Sequence, residues 1–308
     1  MSKKRHSRKK QEKKQQNRLV IGVALLVLFV LIAAVWVINR SGGLGSIAFR
    51  DIHGISFTPD DELYVATHDG LRVYGDEWAV PDVPVNDYMG YSGTQDGFFS
   101  SGHPGPQSPL INPLGLIHST DFGASINTIN FSGESDFHAM SASYRGDTVY
   151  VFNVMPNSVM STGLYYSLDG GQIWEASAAS GLTSNPMSIA VHPDEPNIVA
   201  IATQNGMYLS TDFGATFQMI DDAPATAAEF DTQDGDKLYF GSQSLYNYSL
   251  ADNTTTTLSI PSITGDERLL YIAISPREGY VAIATNQRNI YRSSGTGWMQ
   301  IVTQASSS

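Results

Sequence analysis

Residues 210–217 read STDFGATF, and two earlier segments follow the same pattern, S-x-D-x-G-x-x-Φ, where Φ is aromatic or aliphatic. These segments are 119–126, STDFGASI, and 167–174, SLDGGQIW, so the three starts lie 48 and 43 residues apart. A short Asp side chain accepts backbone N–H groups in a tight turn, and Gly supplies positive φ. The pattern therefore predicts a structural role, in turns, for Asp121, Asp169 and Asp212.

Each of these segments lies in a longer unit of short β-rich runs separated by turn residues. In the best-preserved unit the runs are 186–193, 198–203, 206–210 and 216–220. The same rhythm predicts six units, at 52–80, 85–129, 137–176, 186–220, 225–260 and 269–302. Four-stranded units that repeat in this way are typical of a β-propeller. We therefore predict an all-β, six-bladed propeller over residues 51–303.

The segment before the propeller is first basic and then apolar. Residues 1–18 contain nine Lys or Arg and one Glu, and residues 19–38 form an uncharged apolar run. A helix of that length spans one hydrocarbon thickness, and its basic flank stays in the cytoplasm. We expect a membrane partner and a single-pass cell-membrane location with the propeller outside. The predicted parts are a cytoplasmic tail (1–18), a transmembrane signal anchor (19–38), a linker (39–50), the propeller and a tail (304–308).

The overall composition excludes several functions. The chain has 18 Lys or Arg, 30 Asp or Glu and no Cys. Because half of the basic residues lie in 1–18, the remainder carries a net charge of −20 and repels nucleic acid. The lack of Cys excludes disulfides, thiolate nucleophiles and iron–sulfur clusters. We therefore expect no nucleic-acid partner for the propeller, and no pattern indicates an oligomeric state.

Four histidines are predicted to share one face of the propeller. The first two strands of a blade are antiparallel, so the start of one lies beside the end of the other. His53 and His138 lie at predicted starts of innermost strands, and His68 and His103 lie at ends of second strands. We expect all four in blades one to three, opposite the S-x-D-x-G turns. Two further histidines, His118 and His192, map to the opposite end of the strands and are predicted to be turn residues.

Three interpretations of this face remain open. It is a metal site for Cu or Zn, which imidazoles suit, with Asp51, Glu134 or Asp136 as further ligands or hydrogen-bond partners. It is a cleft for a polar ligand such as a glycan, in which Asp69 takes part. Or the four histidines only make separate turn hydrogen bonds. The candidate ligand-binding residues are His53, His68, Asp69, His103, Glu134, Asp136 and His138, and the metal ligands among them are the four histidines.

Segments around these residues resemble a known family. They are IHG at 52–54, ATHDG at 66–70, DYMG at 87–90, SGHP at 101–104, NPLGL at 112–116 and ESDFHA at 134–139. With the S-x-D-x-G repeats, they resemble the sortilin/BNR (Asp-box) repeat exoproteins of Gram-positive bacteria, a family named glycosyl hydrolase. The resemblance covers nearly all of residues 50–220. Family members open with His-x-His-Gly, whereas this chain has Asp51 at the first position.

The sequence contains no complete catalytic set. Sialidases need an arginine triad, and the segment around Arg50 lacks the Ile-Pro of their opening motif. A paired-carboxylate glycosidase could draw on Asp51, Asp69, Glu134 or Asp136. No G-x-S-x-G, H-E-x-x-H or P-loop motif occurs. Two functions follow. One is a membrane-anchored, glycosyl-hydrolase-like propeller with a His-rich face for a ligand or metal. The other is a non-enzymatic scaffold for protein interaction or assembly, as in sortilin-type propellers.

Overall fold

The computed structural model describes residues 49–302, and every regular element in this range is a β-strand. The strands form six four-stranded sheets, each built from one continuous segment of the chain. The prediction of an all-β, six-bladed propeller is therefore confirmed. The predicted tail, signal anchor and most of the linker lie outside the described residues. Within 49–302, the structure contains no helix long and apolar enough to cross a membrane.

The first three blades contain strands β1 to β12. Blade one contains β1 (Ile52–Phe57), β2 (Leu63–Thr67), β3 (Gly70–Tyr74) and β4 (Trp78–Ala79). Blade two contains β5 (Asn86–Gly93), β6 (Phe98–Pro104), β7 (Leu116–Ser119) and β8 (Asn127–Asn130). Blade three contains β9 (Met140–Ala142), β10 (Val149–Asn153), β11 (Gly163–Ser167) and β12 (Glu175–Ala176).

The last three blades contain strands β13 to β24. Blade four contains β13 (Ser188–Val191), β14 (Val199–Thr203), β15 (Gly206–Ser210) and β16 (Gln218–Asp221). Blade five contains β17 (Ala227–Phe230), β18 (Lys237–Gly241), β19 (Leu245–Ser249) and β20 (Thr254–Leu258). Blade six contains β21 (Leu269–Ile274), β22 (Val281–Thr285), β23 (Ile290–Ser294) and β24 (Gly297–Val302).

The core is divided into clusters that lie between neighbouring blades. In β17, Ala228 and Phe230 pack against blade four, whereas Ala227 packs against blade six. The alternation follows from the period of two residues in a strand. The second strands β14 and β22 are buried along their whole length, and both read Val-Ala-Ile-Ala-Thr. Their β-branched and small residues suit a strand with sheet neighbours on both faces.

Each S-x-D-x-G segment forms a hydrogen-bonded turn after the third strand of its blade. The buried Ser210 hydroxyl donates to Asp212 Oδ1 at 2.7 Å and accepts the N–H of Gly214 at 2.9 Å. Asp212 also accepts the N–H and hydroxyl of Thr216. Phe213 and Gly214 adopt φ of 60° and 77°, the left-handed conformation that the turn requires. Equivalent serine–aspartate bonds hold the turns at Asp121 and Asp169.

Side-chain contacts close the ring between blades six and one, because no strand is exchanged between them. The Ser275 hydroxyl donates to Asp61 Oδ1 at 2.7 Å. Trp78 Nε1–H donates to the carbonyl of Ile301 at 2.9 Å, and the Phe49 ring meets the Trp78 ring edge-on. The described chain therefore begins and ends at the same junction between blades.

Candidate functional site

The two histidines of blade one meet where β1 starts and β2 ends. Ile52 pairs with Thr67 in the antiparallel ladder, so His53 and His68 lie beside each other. The ladder shifts register between Ile52 and Gly54, and such an irregularity re-aims the side chain at its centre, His53. The two imidazole ring centroids lie 6.4 Å apart.

A third residue, Asp87, joins these histidines from blade two. It is the second residue of β5, and its carboxylate reaches both rings. Asp87 Oδ1 lies 3.2 Å from His53 Nε2, and Asp87 Oδ2 lies 2.8 Å from His68 Nδ1. One ligand atom from each of the three side chains falls within 4.8 Å of the others. We call these three residues the His–His–Asp cluster.

Two atoms of this cluster are buried without a hydrogen bond. His53 Nε2 and Asp87 Oδ1 face each other, but their orientation does not make a hydrogen bond, and neither atom has another partner in the described structure. Buried polar atoms are nearly always satisfied, so such a pair requires an explanation. Burial lowers the pKa of His53, against the opposing charge of Asp87. A neutral imidazole nitrogen and a carboxylate oxygen are both metal-ligand atoms.

A second cluster joins blades two and three. His138 Nε2 lies 2.7 Å from Asp136 Oδ2, and His103 Nε2 lies 3.3 Å from the same oxygen. The hydrogen bond to Asp136 raises the pKa of His138, although burial opposes it. The charge of Asp87 also raises the pKa of His138, so the two clusters are close enough to interact. All four histidines predicted for this face therefore lie together.

Two further predicted carboxylates, Asp69 and Glu134, make local contacts. Asp69 Oδ1 accepts the hydroxyl of Thr67 and lies 3.3 Å from Arg72 Nη2. Glu134 Oε2 accepts the N–H of Ser158 at 2.8 Å, and hydrogen bonds from the side chain and the backbone of Ser158 lower the pKa of Glu134. Both groups hold turns or loops of the face. Among the described residues, neither carboxylate forms an ion pair with a histidine.

The other two histidines differ from one another. His192 Nδ1 accepts the N–H groups of Asp194 and Glu195 in the connection after β13. His118 was predicted to be a turn residue, and this is wrong because it lies within β7. The His118 ring stacks on the ring of Phe99, its cross-strand partner in β6, with ring centroids 3.9 Å apart. Neither residue reaches the face that carries the clusters.

Asp87 is the residue that the sequence analysis missed. Its segment, DYMG at 87–90, entered that analysis only through the family resemblance. The available signal was positional, because Asp87 lies near the start of the innermost strand in the blade next to that of His53. A polar residue at that position points to the same end of the channel.

No family model and no curated protein matches the chain. Several solved structures are similar to it in fold. An ancestral GH74 enzyme has a TM-score of 0.50 at 15% identity, over 86% of this chain and 40% of that one. The fold is that of a β-propeller. A Niastella koreensis GH74 enzyme has a TM-score of 0.53 at 15% identity, over 83% and 46% of the two chains. The GH74 xyloglucanase from Xanthomonas campestris has a TM-score of 0.50 at 11% identity, over 85% of this chain and 46% of that one.

The chain therefore spans less than half the length of the GH74 enzymes that it resembles. At these identities the likeness concerns the fold alone. The functional argument consequently depends on the side chains of this propeller, and above all on the two His–Asp clusters.

Proposed function

We propose that this propeller binds one divalent transition-metal ion, zinc or copper, through His53, His68 and Asp87. The observation that carries the proposal is the pair of buried, unsatisfied ligand atoms, His53 Nε2 and Asp87 Oδ1, beside His68. A bound cation would satisfy both atoms at once. Two imidazoles and one carboxylate form a ligand set that zinc accepts in proteins.

Three protein ligands leave a fourth position of a tetrahedral ion open to solvent or to a bound molecule. The cluster lies at the end of the propeller channel, where His53 and His138 line a common cavity. Asp136 and His138 stand beside it and can exchange a proton with a molecule at the open position. This arrangement supports a metal-dependent binding or hydrolytic role, consistent with the glycosyl-hydrolase-like family resemblance.

The experiment is a metal titration of the full-length chain, purified in mild detergent and stripped with EDTA. Elemental mass spectrometry is expected to find one Zn²⁺ or Cu²⁺ per chain at pH 7.5. Binding should fall as the pH drops below about 6.5, because protons compete for the imidazole nitrogens and burial lowers the pKa of His53. Failure to retain any stoichiometric metal would contradict the proposal, as would binding that is unchanged at pH 5.

A second candidate function, a protein-interaction scaffold, is favoured by apolar side chains exposed in loops of the same face. Ile111 follows β6, and Val154, Met155 and Val159 follow β10, each with more than half of its side chain exposed. Exposed apolar groups of this kind occur at protein-interaction sites. A propeller that never retains metal but captures a partner through these loops would favour the scaffold.

We further propose that the propeller lies outside the cell, anchored by the apolar run 19–38. The support is the sequence alone, since a basic flank precedes the run. Protease added to intact cells should remove the propeller and leave an epitope in residues 1–18 protected. Cells opened before treatment provide the control, in which the epitope is also lost. Mature protein in the medium that starts near Ser41 would contradict the anchor.

A further inference from the structure

A cavity of about 350 Å³ lies on the propeller axis, lined by the innermost strands β1, β5, β9, β13, β17 and β21. This volume is within the range of small-molecule sites. His53 and His138 lie at one end, so the cavity opens on the face of the His–His–Asp cluster. Its deeper part uses residues that have no role in the proposed metal site.

At one position of the innermost strand, blade five carries a different kind of side chain from the other five blades. The residue after each innermost strand donates its N–H to a carbonyl at, or one residue before, the start of the second strand, so the penultimate residues of the innermost strands are equivalent in all six blades. Five of the six equivalent residues are small, namely Ser56, Ser92, Ser141, Ala190 and Ala273. The sixth is Glu229, and it lines the cavity. Five blades therefore show that the fold does not need a long or acidic side chain here.

Glu229 is half-buried and faces the channel without a charged or hydrogen-bonded partner among residues 49–302. In the part of the chain that the structure describes, its carboxyl group makes neither a hydrogen bond nor an ion pair. Burial raises its pKa to about 8. A carboxyl group that is partly removed from water and has no partner costs stability, and such violations of the folding pattern concentrate at functional sites. A nearby ammonium group would restore the ionised carboxylate.

The same cavity has an unpaired basic group at its rim. Arg268 directly precedes β21 of blade six, is solvent-exposed and lines the cavity. Among residues 49–302, the guanidinium group of Arg268 has no ion-pair partner, whereas Arg72, Arg145 and Arg277 each have one. Glu229 and Arg268 thus lie in adjacent blades around one cavity, and no ion pair joins them.

The strand register gives the distance along the channel between the backbone positions of Glu229 and Arg268. Ala273 is the blade-six equivalent of Glu229 and lies five residues after Arg268. At about 3.3 Å per residue, the two backbone levels are about 16 Å apart, and the long side chains close part of this distance. A molecule that contacts both groups therefore needs its charges several bonds apart.

We propose that the cavity binds a small zwitterion of the ω-amino-acid type, with its carboxylate on Arg268 and its ammonium group on Glu229. Ser56, Ser92 and Ser141 lie at the same level of the channel as Glu229. Tyr144 lines the deeper end, and its buried hydroxyl has no hydrogen-bond partner within residues 49–302. The charge of each ligand end complements the protein group beside it, and a single-charge analogue would leave one group unpaired.

The test is calorimetry at pH 8 on the full-length chain in detergent, stripped of metal with EDTA. The probes are 6-aminohexanoate, 4-aminobutyrate and glycine, with hexanoate and hexylamine as single-charge analogues. 6-Aminohexanoate should bind best, and Glu229→Gln or Arg268→Gln should each weaken it by about tenfold or more. Arg277→Gln is the control, because Arg277 pairs with Asp60 and does not line the cavity. Its affinity for 6-aminohexanoate should be unchanged.

A stability measurement separates a ligand-binding glutamate from a structural one. Without ligand, Glu229→Ser should raise the melting temperature by about 2–4 °C, since it removes a half-buried carboxyl group without a partner and introduces the residue of blades one to three. A lower melting temperature would overturn the proposal, and so would absent zwitterion binding or equal binding of hexylamine. The stripped protein contains no metal, so each of these failures leaves the metal proposal untouched.

Discussion

The His53→Ala variant is expected to bind Zn²⁺ or Cu²⁺ more than about 100-fold more weakly than the unchanged chain. Loss of a hydrogen-bonded partner of a metal ligand already costs 10- to 100-fold in many sites, and loss of a ligand costs more. Asp87→Asn should lose as much affinity, because the amide keeps the shape but removes the charge that offsets the cation. Competition with a chromophoric chelator would measure both.

The second cluster supplies the matched control for this prediction. His103→Ala removes an exposed imidazole that lies 3.3 Å from Asp136 Oδ2 and makes no ion pair with Asp87, its cross-strand neighbour, so it should change metal affinity by less than about tenfold. Melting curves of the metal-free variants would verify that all three remain folded. Equal losses of metal affinity in His53→Ala and His103→Ala would contradict the assignment of the metal site to His53, His68 and Asp87. They would favour a site shared by all four histidines.

Gly102→Ala is expected to destabilise the propeller on the order of 3 kcal/mol, through backbone strain and overpacking. Gly102 has φ of 114°, and an added Cβ would lie 2.1 Å from the carbonyl oxygen of Asp87. The clash would push β5 and β6 apart beside His103. The urea midpoint should therefore fall, and metal affinity should fall with it because Asp87 moves.

Gly295→Ala provides the comparison for that variant. Gly295 lies in the exposed hairpin between β23 and β24, and an added Cβ there would meet no atom within 4 Å. Its urea midpoint should stay close to that of the unchanged chain. A Gly102→Ala midpoint equal to that of Gly295→Ala would show that β6 does not approach Asp87 as described.

The fold was predictable because its signals are local and repeated. The S-x-D-x-G turns recur once per blade in three blades, and their bonds join residues at most four positions apart. The blade boundaries follow from the turns between strands. His118 shows the limit of such reasoning, because its stacking on Phe99 depends on contact across a sheet rather than on turn composition.

The candidate site was predictable only in part. The shared face of His53, His68, His103 and His138 follows from strand direction alone. The approach of Asp87 to two histidines of another blade depends on how two sheets pack, and the chain order does not state it. Glu229 was missed for a related reason, because its contrast with five small residues appears only after the ladders are aligned.

Anomalous diffraction at the zinc edge, from crystals of the zinc-loaded chain, tests the metal site most directly. The account predicts one strong peak about 2.0–2.2 Å from His53 Nε2, a nitrogen of His68 and an oxygen of Asp87. A strong peak on another part of the molecule, with none beside these three side chains, would contradict it.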